Sequence, residues 1–298
     1  MKANKELYPI LSLVLAGLAF ASYGVWSRMT ADYFGLFFQA LSRMIIITFV
    51  LGIFLSISKR LKPIAKQDRK WFLIIFTFLS IVTPFYYYAV ITLPLGAAIF
   101  LFYSGSLTMS FFIGAVFLKE KLKFVNILSL ILAFLGMILI FWNQLQFNSV
   151  IAIASAIMAG AFFGAYTVSI NFIKEDYHPL NWQFWGAVVQ IVLYTVAMFV
   201  TKESNNFIFP SIAWFGATIF AFAEIIATIN VYYGFKNLPA KKASLLLLTE
   251  ILFAVIFGWL FYKEIPPLLT FFGGVLIIIA MSLPNLDLKF MNRKYEEF

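Results

Sequence analysis

The chain has 298 residues, of which 63% are apolar and only 12% charged, about half the share typical of a soluble domain. A soluble fold of this size cannot bury 37 phenylalanines along with that aliphatic content and still keep a polar skin, so a soluble enzyme, a disordered chain and a secreted scaffold are excluded. The net charge of +9 does not mark a nucleic-acid surface, because the basic residues fall in short clusters between long apolar runs. With no cysteine and one histidine, His178, disulfides, thiolate chemistry and Cys- or His-rich metal sites are excluded.

A helix needs about 20 mainly apolar residues to cross a bilayer core. Ten runs meet that need, at roughly 8–26, 33–57, 71–91, 95–118, 124–142, 148–170, 181–200, 211–234, 240–262 and 266–284. They are continuous, not alternating, which predicts an all-α membrane protein and excludes a β-barrel. The first run is too long for a cleavable signal peptide. With the N-terminus inside, 18 of the 22 Lys and Arg lie on the cytoplasmic side, while Arg28, Lys202 and Lys263 lie opposite and Arg43 lies within a span. This bias places both termini in the cytoplasm, in an integral protein of a prokaryotic inner membrane.

The halves repeat. Ala16-Gly17-Leu18-Ala19-Phe20 and Tyr23 match Ala159-Gly160-Ala161-Phe162-Phe163 and Tyr166. Gln39 matches Gln183, Trp71-Phe72 matches Trp214-Phe215, Leu93-Pro94 matches Leu238-Pro239, and the ends Lys119-Glu120 and Lys263-Glu264 correspond. Each repeat holds five spans, an odd number, so the second copy enters the membrane from the other side. The expected layout is two inverted five-helix repeats, 1–143 and 144–298, a design associated with alternating access.

On the double repeat, Arg43 in the second span, the run Tyr88-Ala89-Val90-Ile91-Thr92-Leu93-Pro94-Leu95-Gly96-Ala97-Ala98 and the two Lys-Glu ends, the chain resembles the EamA-type members of the drug/metabolite transporter superfamily. The resemblance implies a transporter fold and leaves the substrate open among amino acids, other metabolites and drugs. Family members often carry Glu-Pro in the ninth span. Here Glu250-Ile251 stands instead, which removes the sequence signal for a helix break.

Arg43, Glu224 and Glu250 lie about 15–20 Å along their spans at 1.5 Å per residue, close to the midplane. Charges at that depth face a bundle interior or a watery cavity. Gln39 lies one turn before Arg43, and Gln183, Gly186 and Gln190 share a face of the seventh span. The candidate substrate-binding residues are Arg43, Gln39, Glu250, Tyr86, Tyr103, Tyr166, Gln183 and Trp185, with Glu224 as the ion-coupling carboxylate. Arg43 suits a carboxylate, a Glu suits an ammonium group, and aromatic rings suit the remainder. The plainer alternative is an Arg43–Glu salt bridge that only locks the bundle. No Walker A or dinucleotide motif and no nucleophile–base set is present. The expectation is therefore a secondary transporter or exporter of an amino acid or other amine-containing solute, with the bilayer and protons as partners and no cofactor, metal or nucleic acid. A membrane-embedded enzyme or a structural protein is the alternative.

Overall fold

The computed structural model describes residues 3–31, 33–93, 95–144, 149–203, 211–263 and 265–296. Two residues of the sequence motifs, Pro94 and Glu264, lie outside the described residues. The described residues are helical apart from turns and short connections. In chain order the helices are α1 (Ala3–Ala21), α2 (Tyr23–Ala31), α3 (Leu36–Ile57), α4 (Arg69–Thr92), α5 (Leu95–Val116), α6 (Phe124–Phe141), α7 (Val150–Ser169), α8 (Pro179–Thr201), α9 (Ser211–Asn237), α10 (Ala240–Leu246), α11 (Thr249–Tyr262) and α12 (Leu268–Glu296). Among the described residues nine helical stretches are long and apolar enough to span a membrane, with α1–α2 and α10–α11 each acting as one stretch. The tenth expected span corresponds to the shorter apolar stretch Leu268–Pro284.

Lipid rather than water explains what these helices expose. Phe49, Val150, Phe199, Val200 and Leu268 are largely uncovered, while small residues and aromatics fill the interior. Without a hydrophobic drive between helices in lipid, close packing decides which helices pair. α1 packs on α9 and α11, and α7 packs on α4 and α5; α3 pairs with α8, and α6 with α12. Two glycines permit the tightest crossings. A Cβ at Gly160 on α7 would collide with the Phe102 carbonyl of α5, and one at Gly17 on α1 would collide with Thr249 at the start of α11.

The ninth span differs from the sequence expectation. It is interrupted between α10 and α11 with no proline present. The Leu248 N–H bonds the Leu245 carbonyl at 3.1 Å and the Glu250 N–H bonds that of Leu247 at 3.0 Å, so the chain tightens to 3₁₀ geometry there. The Thr249 hydroxyl takes up the Leu246 carbonyl at 2.9 Å. That bond gives the interruption a partner within the chain, so proline is not required to create it. The interruption places Glu250 in the first turn of α11.

Among the described residues, four non-glycine positions have positive φ, and all are lysines at helix ends: Lys59 (53°), Lys119 (54°), Lys202 (52°) and Lys263 (57°). Each takes the left-handed turn that ends a helix.

The α5–α7 contact yields a prediction. Gly160→Ala places a methyl group against backbone that has no free rotamer to yield, so it is expected to destabilise the protein by about 2 kcal/mol. Thermal unfolding in detergent should show a lower midpoint, whereas Gly24→Ala, in open space, should match the parent protein.

Candidate functional site

Arg43 on α3 and Glu224 on α9 meet in the middle of the bundle. Nη1 and Oε2 are 3.7 Å apart, with both side chains about a tenth exposed. The guanidinium carbon lies 3.8 Å from the centre of the Phe220 ring, one helical turn from Glu224 on α9. Tyr23 on α2 packs on the same ring at 4.6 Å. At 3.7 Å the ion pair is too long for a hydrogen bond, and neither Arg43 Nε nor Glu224 Oε2 has a hydrogen-bond partner. The two charges therefore offset one another while polar valences on both remain open.

Glu250 receives a hydrogen bond from the Tyr103 hydroxyl of α5. Tyr86 on α4 lies within electrostatic range of Glu250, and Tyr23 lies within range of Arg43, Glu224, Glu250 and Tyr166. Among the described residues no basic side chain pairs with Glu250. The centre thus holds one cation and two carboxylates, lined by tyrosines from α2, α4, α5 and α7.

Of the residues singled out in the sequence, Arg43, Glu224, Glu250, Tyr86, Tyr103 and Tyr166 converge on this centre. Gln183 is fully buried on α8, with neither amide atom hydrogen bonded. Gln39 instead joins α3 to α2, donating to the Ser27 carbonyl at 3.2 Å and to the Thr30 hydroxyl. Trp185 donates to the Lys62 carbonyl at 2.8 Å, toward one end of the bundle. Gly186 gives room to the Phe76 ring and not to a ligand. Among the described residues no group of three or more His, Asp or Glu side chains is arranged to hold a metal ion.

Each end of the bundle is fastened across the two halves of the chain by a carboxylate. At one end, Asp68 accepts the backbone N–H groups of Lys174 and Glu175, both at 3.1 Å, and the Tyr177 hydroxyl at 3.0 Å. Burial pushes the Asp68 carboxyl up, but these three donors outweigh it and hold it below the usual carboxylate range. Nearby, Lys62 exchanges two hydrogen bonds with the Asn181 amide, and the Glu120 carboxylate accepts the Ala240 N–H, capping α10. A cavity of about 590 Å³ opens beside these contacts, lined by Lys59, Arg60, Lys62, Glu175, Asp176 and His178 among others. At the opposite end of α3, Glu203 accepts the N–H groups of Phe37 and Phe38, both at 2.9 Å. It thereby supplies from a distant segment the cap that Gly35 lacks.

Sequence reasoning missed Asp68, Tyr177 and Glu203, and it used Glu120 only as a marker of the repeat. A signal was present. Lys119-Glu120 and Lys202-Glu203 both follow a span end; in each the Lys turns the chain left-handed and the Glu reaches a helix start in the other half.

Comparison with known proteins gives the family. The chain matches the EamA-like transporter family over residues 7–142 and again over 150–286, and it belongs to that family. Pseudopaline exporter CntI from Pseudomonas aeruginosa is 25% identical over 201 residues, covering 65% of this chain and 67% of the relative. The same exporter from a second strain is 24% identical over the same coverage. One crystal structure aligns with a TM-score of 0.75 at 14% identity, covering 96% of this chain and 98% of its own, which shows a shared fold. The protein is thus an integral membrane protein of a transporter family, and these relatives point to transport in preference to catalysis.

The Asp68 cluster has a pH signature. Because its folded-state pKa is depressed, its contribution to stability is complete above the unfolded carboxylate value near 4 and is lost as pH falls through the lower folded value. Asp68→Asn, which cannot accept all three donors, is expected to cost about 2 kcal/mol at neutral pH. Thermal unfolding followed from pH 7 down to about 3 should show the two proteins converge at the acid end.

Proposed function

We propose that this member of the EamA-like transporter family moves a small amine-containing solute, with amino acids the favoured class, by alternating access to a central site built on Arg43, Glu224 and Glu250. The observation that carries the reading is the charge arrangement: buried Glu224 loosely holds the site's one arginine, while half-buried Glu250 lies at a helix interruption with a tyrosine as its hydrogen-bond donor. A carboxylate in the core of a membrane protein is costly without a positive partner. The ammonium group of a solute supplies that partner at Glu250. Arg43, with an open Nε, takes the solute carboxylate, and Tyr86, Tyr103 and Tyr166 bound the remainder. Relatives named as exporters favour outward movement.

In this reading Glu224 is the proton carrier. It holds a proton while no solute is bound and releases it when the ammonium group of the solute supplies the second positive charge, so proton and solute occupy the site in turn, which gives proton antiport. Discontinuous membrane helices commonly build such central sites, and α10–α11 is the discontinuous span here.

The layout proposed is ten spans in two repeats of opposite orientation, 1–143 and 144–298, with the Asp68 end in the cytoplasm of a prokaryotic cell. Its support is internal. Lys59 and Lys202 form one left-handed pair, Lys119 and Lys263 another, at separations of 143 and 144 residues. The α1 contacts with α9 and α11 are mirrored by those of α7 with α4 and α5.

Two predictions follow from this assignment. Purified protein should be thermally stabilised by its amine-containing solute, found by screening metabolites, and should move it in proteoliposomes. Glu250→Gln removes one charge-assisted hydrogen bond worth about 1.5–3 kcal/mol, so binding should weaken roughly 10- to 100-fold. Glu224→Gln should bind normally and transport without regard to the pH gradient. If both variants behave as the parent does, the central charges have no part in transport. For the layout, single cysteines placed at Lys119 and Lys263 of this Cys-free chain should react with an impermeant thiol reagent from opposite sides of the membrane. Labelling from one side would refute the inversion.

A further inference from the structure

Beyond the central site, one face of α9 carries polar groups in a line. Glu224, Thr228, Tyr232 and Lys236 recur every four residues and so stack along the helix from mid-bundle to the Asp68 end. The partners facing this line are polar as well. Tyr166 of α7 lies within electrostatic range of Glu224, and its hydroxyl faces the Trp182 indole N–H and the Thr228 hydroxyl. It completes a hydrogen bond with neither. The Trp182 ring packs on Tyr232 at 5.0 Å. The Tyr232 hydroxyl accepts the Tyr177 N–H at 3.2 Å, and the Tyr177 hydroxyl donates to Asp68 at 3.0 Å. Tyr166, Trp182 and Gln183, each at most 2% exposed, together hold four buried polar atoms without partners. Buried polar atoms of this kind are ordinarily satisfied by internal water.

The other half of α9 has a different character. Between Glu224 and the Glu203 end, Ala213 and Ala217 cluster with Phe34 and Phe38, and Ala221 with Leu41, in apolar contact. The polar groups on that side belong to α2 and α3, where Gln39, one turn from Arg43, donates to the Ser27 carbonyl and the Thr30 hydroxyl.

We propose that, in the conformation described here, the Tyr166–Thr228–Tyr232–Tyr177 line is a hydrated proton path that connects Glu224 to the Asp68 end of the bundle. It rests on the reading of Glu224 as the proton carrier. Each hydroxyl or water along it accepts one proton and gives up another, so a proton leaving Glu224 emerges at the Asp68 end and no bond order changes. The groups facing Glu224 from each packed helix are Tyr23 of α2, Arg43 of α3, Tyr166 of α7 and Tyr194 of α8. Tyr194 leads to Thr83 at 2.9 Å and to Gln190, a side branch. Arg43 and Tyr23 pack on the Phe220 ring. Among the described residues the Tyr166 direction continues through side-chain hydroxyls to the Asp68 end.

The test uses the whole protein in sealed proteoliposomes of one orientation, with the pH of each compartment set separately. Protonated Glu224 is read by its modification with dicyclohexylcarbodiimide, which attacks the carboxylic acid form, and peptide mass mapping separates it from Glu250. Without solute, modification of Glu224 should respond faster to a pH step at the Asp68 face than to one at the other face. After a pH step at the Asp68 face, Tyr166→Phe and Thr228→Val should respond severalfold more slowly than the parent and reach the same final extent. A response at the Glu203 face that is as fast or faster, or parent-like rates in both variants, would overturn the path and leave Glu224 as a proton carrier fed by another route. Modification that ignores pH on both faces would overturn the path and the proton-carrier reading together.

Discussion

Everything at the centre of this bundle follows from an unequal charge count at membrane depth. Arg43 neutralises one carboxylate at a time, and Glu224 holds it at 3.7 Å, without hydrogen-bond contact. Glu250 is left with a tyrosine hydroxyl as its partner. In a medium that penalises bare charge so heavily, this imbalance has to be met by something that arrives, either a proton or the positive group of a solute. A site designed only to lock helices together would gain from a closer, fully hydrogen-bonded pair. The open valences on Arg43 and Glu224 argue for a site that exchanges partners.

The scaffold that holds these charges is built from two devices. Small residues let α1 and α7 approach their neighbours so closely that backbone meets backbone, and this fixes the positions of α5 and α11, which carry Tyr103 and Glu250. At the bundle ends, carboxylates reach across to backbone donors of the other half of the chain. Asp68 and Glu120 do so at one end and Glu203 at the other. These contacts are polar, few and near the surface. They can separate without dismantling the apolar core between them, as the proposed alternating access requires.

Much of this was legible in the sequence. Composition alone required a bilayer, the apolar runs gave the helices, and hydropathy with depth arithmetic picked out Arg43, Glu224 and Glu250. The clasps were not legible, because Asp68 and Glu203 bind backbone N–H groups, which every residue possesses and no motif announces. The interruption before Glu250 was hidden for a similar reason: it arises from 3₁₀ hydrogen bonds and the Thr249 hydroxyl, with no proline to mark it. Gln39 was read as a cavity residue on helical phase, and Trp185 on its aromatic character. Phase gives the face of a helix and says nothing of whether a nearby loop carbonyl will claim the side chain, as those of Ser27 and Lys62 do.

The central claim is that one buried charged site is served alternately from the two ends of the bundle. The most direct measurement is electron–electron distance in doubly spin-labelled protein in lipid, using the Cys-free chain. One label pair at Lys66 and Lys174 spans the Asp68 end, and a second at Tyr33 and Lys202 spans the Glu203 end. The account predicts that adding solute or changing pH lengthens one distance while the other shortens. Distances that stay fixed at both ends, or that lengthen together, would contradict it.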